Sequence, residues 1–134
     1  MSTFNTLQEA QEYFKGDIFA TDNGMVIDEL GEDYCCCSMI LNEHHLNANG
    51  GVMGGVIFTL GDFSFAVLSN QIHRPTVAQQ VSINFLGFPK DKTLKAKAVL
   101  KKTGRSSTII NVDIVDGTGR AIAQFIGTGF KLSE

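Results

Sequence analysis

The chain has 134 residues, of which 43% are hydrophobic and 19% charged. That is one ordinary domain, read here as 1–134, with enough apolar side chains (ten Phe among them) to exclude a disordered chain. Eleven Lys and Arg against fourteen Asp and Glu give a net charge of −3, which argues against a nucleic-acid or anionic-membrane partner, since both rely on surplus cations near phosphates.

The first residues lack the basic start and apolar stretch of a signal peptide, and no uninterrupted apolar run approaches a bilayer span; a cytoplasmic location is expected. The three cysteines, Cys35, Cys36 and Cys37, are consecutive. They form no disulfide framework, and no second Cys/His pair follows at zinc-ligand spacing, so no metal is expected. On a strand, Cys35 and Cys37 would share one face and Cys36 the other.

In chain order, Thr6-Leu7-Gln8-Glu9 reads as a capping box opening a short amphipathic helix, Leu7 to Lys15, with Gly16 as its left-handed cap. Met25–Leu30 and Asp33–Leu41 read as two strands around Gly31-Glu32. Asn42 to Gly55 breaks all periodicity and reads as a loop. From about Gly54 to Ser69 the pattern is apolar nearly all round, as in a helix buried in a core or an interface. The remainder alternates with period two in four strands. Val77, Val81, Ile83 and Phe85 share a face, as do Leu94, Ala96, Ala98 and Leu100, then Thr108, Ile110, Val112 and Ile114, then Ala121, Ala123 and Phe125. The expected fold is α+β: a curled antiparallel sheet wrapped around one central helix, with a short N-terminal helix.

Asp62 is the odd residue of the apolar helix. Its neighbours at i±3 and i±4 are Thr59, Phe58, Phe65 and Ala66, and none is a cation. An unpaired carboxylate in such a setting shifts its pKa or has a task. Alternatively, Asp62 caps a shorter helix beginning at Phe63, with Val56 to Leu60 as a strand. Gly50, Gly51, Gly54 and Gly55 precede the helix start, where free amides meet the positive dipole end. That is the layout of an oxyanion hole, though two glycine pairs also simply make a tight turn. A phosphate loop would need a following Lys-Ser/Thr, which is missing.

The stretch from His45 to Asp62, with its Asn47, Gly50, Gly54, Gly55 and Asp62 spacing, resembles the signature of the PaaI-type acyl-CoA thioesterases, a branch of the hotdog-fold superfamily. The resemblance extends over roughly residues 24–131 and implies a hotdog fold and hydrolysis of an acyl-CoA thioester to free acid and CoA. It implies Asp62 as general base or nucleophile, Asn47 as holder of water or carbonyl, and the Gly54 amide, with Gly55 beside it, as oxyanion donor. Coenzyme A enters as part of the substrate; no separate cofactor is implied. Lys102, Arg105 and Ser106 lie in a hairpin that resembles the segment near the nucleotide end of CoA. Met53 stands where that family usually has His, which makes a catalytically weak protein binding an acyl or aryl thioester the alternative.

Gly54 and Asp62 are eight residues apart, about 12 Å along a helix. A base and an oxyanion donor should both lie ~3 Å from one reacting centre, so one copy of this helix cannot supply both. Two antiparallel copies can, which predicts a homodimer with shared sites; the resemblance implies a tetramer of two such dimers. The acyl pocket is expected among Phe58, Phe63, Phe65, Val81 and Phe85. A hydratase would need a His paired with an acid, and His45 is the local candidate. His44, His45 and His73 otherwise read as loop or surface residues.

Overall fold

Thr6 opens the first helix: its hydroxyl accepts from the Glu9 amide at 3.1 Å, and Ala10 and Phe14 turn inward. The return bond from Glu9 is not made, and Gly16 keeps an ordinary backbone rather than the left-handed cap expected of it. The computed structural model describes residues 2–133. In order they form α1 (Leu7–Phe14), α2 (Ile18–Asp22), β1 (Val26–Leu30), β2 (Tyr34–Ile40), a 3-10 turn (Glu43–His45), α3 (Gly54–Ile72), β3 (Thr76–Phe85), β4 (Thr93–Thr103), β5 (Ser107–Asp116) and β6 (Ala121–Lys131). α2 is the element the pattern did not announce, since five residues are too few to display a period.

The six strands make one antiparallel sheet in the order β1-β2-β4-β5-β6-β3, curled around α3. β3 therefore ends one edge, and the segment after it crosses to β4 in the middle. The core lies between the sheet's inner face and α3. Leu94, Ala96 and Ala98 from β4, Ile110, Val112 and Ile114 from β5, and Phe125 from β6 meet Leu60, Phe63, Phe65, Val67 and Leu68. Each such large side chain contributes about 1.5–3 kcal/mol through burial. Cys35 and Cys37 face inward opposite Ala98 and Ala96, while Cys36 lies on the outer face opposite Lys97. All three are free thiols.

Two irregularities correct the expected faces. One extra residue in β3, Gln79, shifts the register between Ala78 and Gln80. Val77 consequently lies outside, paired with Phe130, whereas Val81, Ile83 and Phe85 face inward opposite Gly127, Phe125 and Ala123. On β6 the shift falls at Ile122, so Ile122 and Ala123 are both buried and Ala121 is exposed. Close approach explains two glycines. A Cβ on Gly61 would lie 2.7 Å from the Phe125 ring, and one on Gly127 2.8 Å from Phe65.

α3 is one continuous helix, so Asp62 caps nothing. At 19 residues it is longer than expected, and by length and composition it is apolar enough to cross a membrane. Here the sheet and the N-terminal segment enclose most of it, with Phe14 of α1 edge-on to Phe63. The stripe left uncovered runs through Gly55, Phe58, Thr59, Asp62 and Ala66, at the three- and four-residue steps of one helix face.

Candidate active site

The loop before α3 is built by its own polar side chains. Asn42 Oδ1 accepts from the His44 amide, and the Asn42 amide donates to His45 Nδ1 at 3.0 Å. His45 is buried with that nitrogen committed to a backbone amide, and burial, helped by His44, lowers its pKa. It serves the loop, as one half of its loop-or-surface reading has it, but from a buried position. Asn47 follows: its Oδ1 accepts from the amides of Asn49 and Gly51, and its own amide donates to the Gly51 carbonyl. Gly50 supplies the left-handed backbone this tight loop needs, at φ +81°. The Asn47 oxygen is thus spent on structure, while its Nδ2 donor has no partner among the described residues.

The loop delivers the chain to the first turn of α3. Met53 is the N-cap residue, offers no side-chain cap and is 49% exposed. The Val56 amide turns back onto the Met53 carbonyl, leaving the Gly54 and Gly55 amides as free donors at the helix's positive end. Phe85, at the end of β3, lays its ring over Gly54; a Cβ there would meet it at 3.4 Å. A cleft of about 260 Å³ opens beside this turn, lined by Gly54, Ile57, Phe85, Leu86, Phe88 and Pro89. A larger cleft of about 610 Å³ shares Val52, Phe88 and Pro89 with it and reaches Leu41 and Lys92.

Asp62 lies two turns further along, half-buried on the uncovered stripe. The flanking hydroxyls do not serve it: Thr59 and Ser64 donate to the helix carbonyls of Gly55 and Leu60. The single ion pair among the described residues, Lys15 with Glu12, is on α1. Burial pushes the Asp62 carboxyl above its ordinary value, and the negative charge of Asp17, at the start of α2, pushes it further. Asp17 is the neighbour that sequence reading missed, because nothing in a five-residue helix announces which core helix it will pack on.

The structure brings Met53, Gly54, Gly55 and Phe85 together and sets Asn47 in the loop leading to them. It does not bring Asp62 to Gly54: the unbroken helix keeps them about 12 Å apart in one chain. Lys102, Arg105 and Ser106 are exposed at the β4–β5 hairpin, at the opposite end of α3. There the ring Nε2 of His73, the residue that ends α3, lies 2.8 Å from the Gly104 carbonyl. Phe63 and Phe65, expected in an acyl pocket, are core residues instead, packed on Phe14 and Phe125.

The chain as a whole is similar to known proteins. The thioesterase superfamily model matches residues 49–123, more than half of the chain. The acyl-coenzyme A thioesterase PaaI of Escherichia coli K12 is 28% identical over 127 residues, covering 93% of this chain and 90% of that relative. The solved structure of the E. coli PaaI protein from the phenylacetic acid degradation operon superposes with a TM-score of 0.88 at 26% identity, covering 94% of this chain and 92% of that one. A hypothetical thioesterase of Streptococcus pneumoniae TIGR4, solved with coenzyme A, gives 0.83 at 26% identity, covering 92% and 98%. The chain belongs to the thioesterase superfamily and is a PaaI-type thioester hydrolase with the hotdog fold.

Proposed function

We propose that this protein hydrolyses acyl-CoA thioesters at sites shared between two antiparallel copies of α3. The observation that carries the reading is the Asp62 carboxyl, half-buried on an uncovered helix face without a partner among the described residues. Asp62 of one subunit takes a proton from a water near the Asn47 amide of the other. The resulting hydroxide attacks the thioester carbonyl carbon, and the oxyanion rests on the Gly54 amide. Collapse of the intermediate breaks the C–S bond. The thiolate leaves with the proton returned through Asp62, yielding carboxylic acid and CoA.

Three features support the shared site. β3 is an edge strand of ten residues, free to pair with a second copy. The midpoint between Gly54 and Asp62 is Phe58, which is 36% exposed on the uncovered stripe. Antiparallel helices crossing there would set each Asp62 opposite the partner's Gly54. The hairpin of the subunit that supplies Asp62, with Lys102, Arg105 and Ser106, would then lie about 16 Å beyond that glycine, eleven residues of helix on from Asp62, where cations suit the phosphates of CoA. A second contact, on the outer sheet face where Val77, Ile109, Ile126 and Phe130 are exposed, would join two dimers into a tetramer.

The test is release of free thiol from short aliphatic, long aliphatic and aromatic acyl-CoAs. Turnover by the wild type that is lost in Asp62→Asn at unchanged oligomeric mass supports the reading; a folded Asp62→Asn dimer with full turnover refutes it. The exposed Met53, in place of the family's usual His, favours one rival, an acyl- or aryl-thioester binder of weak activity. Tight thioester binding without thiol release would establish it.

A further inference from the structure

The segment joining β3 to β4, Leu86 to Lys92, forms one wall of the cleft beside Gly54, and it is tied down from behind. The Leu86 and Gly87 amides donate to the Ile122 carbonyl at 2.8 and 3.3 Å. The Lys90 amide donates to Asp116 Oδ2 at 2.7 Å, and the Gly117 amide donates to Asp91 Oδ1 at 3.0 Å. Arg120 adds the central tie: its Nε donates to the Phe88 carbonyl at 2.8 Å. Its own amide donates to Asp116 Oδ1, which also accepts from the Thr118 amide and hydroxyl. The Arg120 guanidinium has no carboxylate partner among the described residues, so that carbonyl is its defining contact. Phe88 meanwhile is 74% exposed and lines both clefts. Its place in the wall is set by a bond to its backbone rather than by packing of its side chain.

We propose that Arg120 is a positioning residue for the acyl group: through the Phe88 carbonyl it fixes the wall facing Gly54 and so selects which acyl chains seat there. This deepens the thioester reading above and rests on it. A donor at the Nε position is what matters, and the charge is secondary. Glutamine carries its amide nitrogen the same number of bonds from the backbone as arginine carries Nε, whereas methionine keeps the length without a donor.

Binding to the intact oligomer of a series of S-alkyl-CoA thioethers, which cannot turn over, tests this by calorimetry. For Arg120→Met the best-binding wild-type ligand should weaken roughly five- to tenfold and the optimum should move to longer chains, as expected when one hydrogen bond is lost. Arg120→Gln should restore the wild-type optimum. Gly87→Ala, whose Cβ would press within 3.0 Å of the Ala121 carbonyl and 3.3 Å of Arg120 Nε, displaces the same wall together with its tie and should shift the optimum likewise. A wild-type optimum retained in Arg120→Met and in Gly87→Ala, or a shift that Arg120→Gln does not reverse, overturns the proposal. Because these ligands need no turnover, a wild type that binds them with a chain-length optimum but releases no thiol from true thioesters refutes the hydrolytic reading alone. With those thioesters, Arg120→Met should raise KM for the preferred chain far more than it lowers kcat; the reverse pattern contradicts a positioning role.

Discussion

Asp116 and Asp62 are the same side chain in opposite circumstances. Asp116, 1% exposed in the β5–β6 turn, accepts four hydrogen bonds, and these hold its carboxyl down to about 2, the Thr118 hydroxyl first among them. Asp62, half-buried on α3, accepts none from the described residues, and burial with Asp17 drives its pKa upward. One carboxylate is committed to the fold, and its charge is satisfied. The other is left costly, which is the condition a general base at neutral pH requires.

The sharpest break in the comparison is an amide swap at each position. Asp62→Asn should lower kcat about 10²- to 10⁴-fold, the usual loss for a general base, with the thermal midpoint held or raised. Asp116→Asn should do the converse, lowering the midpoint by several degrees in a thermal melt while turnover falls far less than in Asp62→Asn. Next in size is Gly61→Ala. Its methyl would sit 2.7 Å from the Phe125 ring in a filled core, costing about 1–3 kcal/mol by denaturant titration without touching either aspartate.

Acidity sharpens the contrast. For Asp116 the folded pKa is depressed, so its contribution to stability is present above the ordinary aspartate value of 3.8 and is lost as pH falls towards about 2. Wild-type melts should therefore lose stability across that window, and Asp116→Asn melts should lose less. For Asp62 the shift is upward, so the acid limb of the rate profile should lie above 3.8. Replacing Asp17 with Asn removes the neighbouring negative charge and should move that limb to lower pH. A limb that stays in place would show that Asp17 plays no part in holding the proton on Asp62. This is the smallest of the expected effects, since burial is the larger cause.

Much of this was legible in the residues because it depended on local pattern. The capped start of α1, the inward Cys35 and Cys37, the alternation along β4 and β5, and the glycine turn into an apolar helix with one acid all follow from periodicity and backbone preference. What escaped depended on contacts distant in sequence or on a single inserted residue. The bulge at Gln79 turned Val77 outward, and Ile122 displaced Ala121, because register is settled between strands rather than within one. Phe63 and Phe65 joined the core because α1 and the β6 glycines made room for them. Asp17 and Arg120 act across the fold, on Asp62 and on Phe88, and neither carries a motif.

Mixing two inactive variants tests the sharing of Asp62 and Asn47 most directly. Asp62→Asn and Asn47→Ala chains, each inactive alone, are unfolded together, refolded and assayed for thiol release. If each site takes its acid from one subunit and its amide from the other, half of the dimers are mixed and each carries one intact site. Activity should then return to about a quarter of wild type. No return of activity in verified mixed dimers would mean that acid and amide serve from a single chain, and the paired-helix site would be wrong.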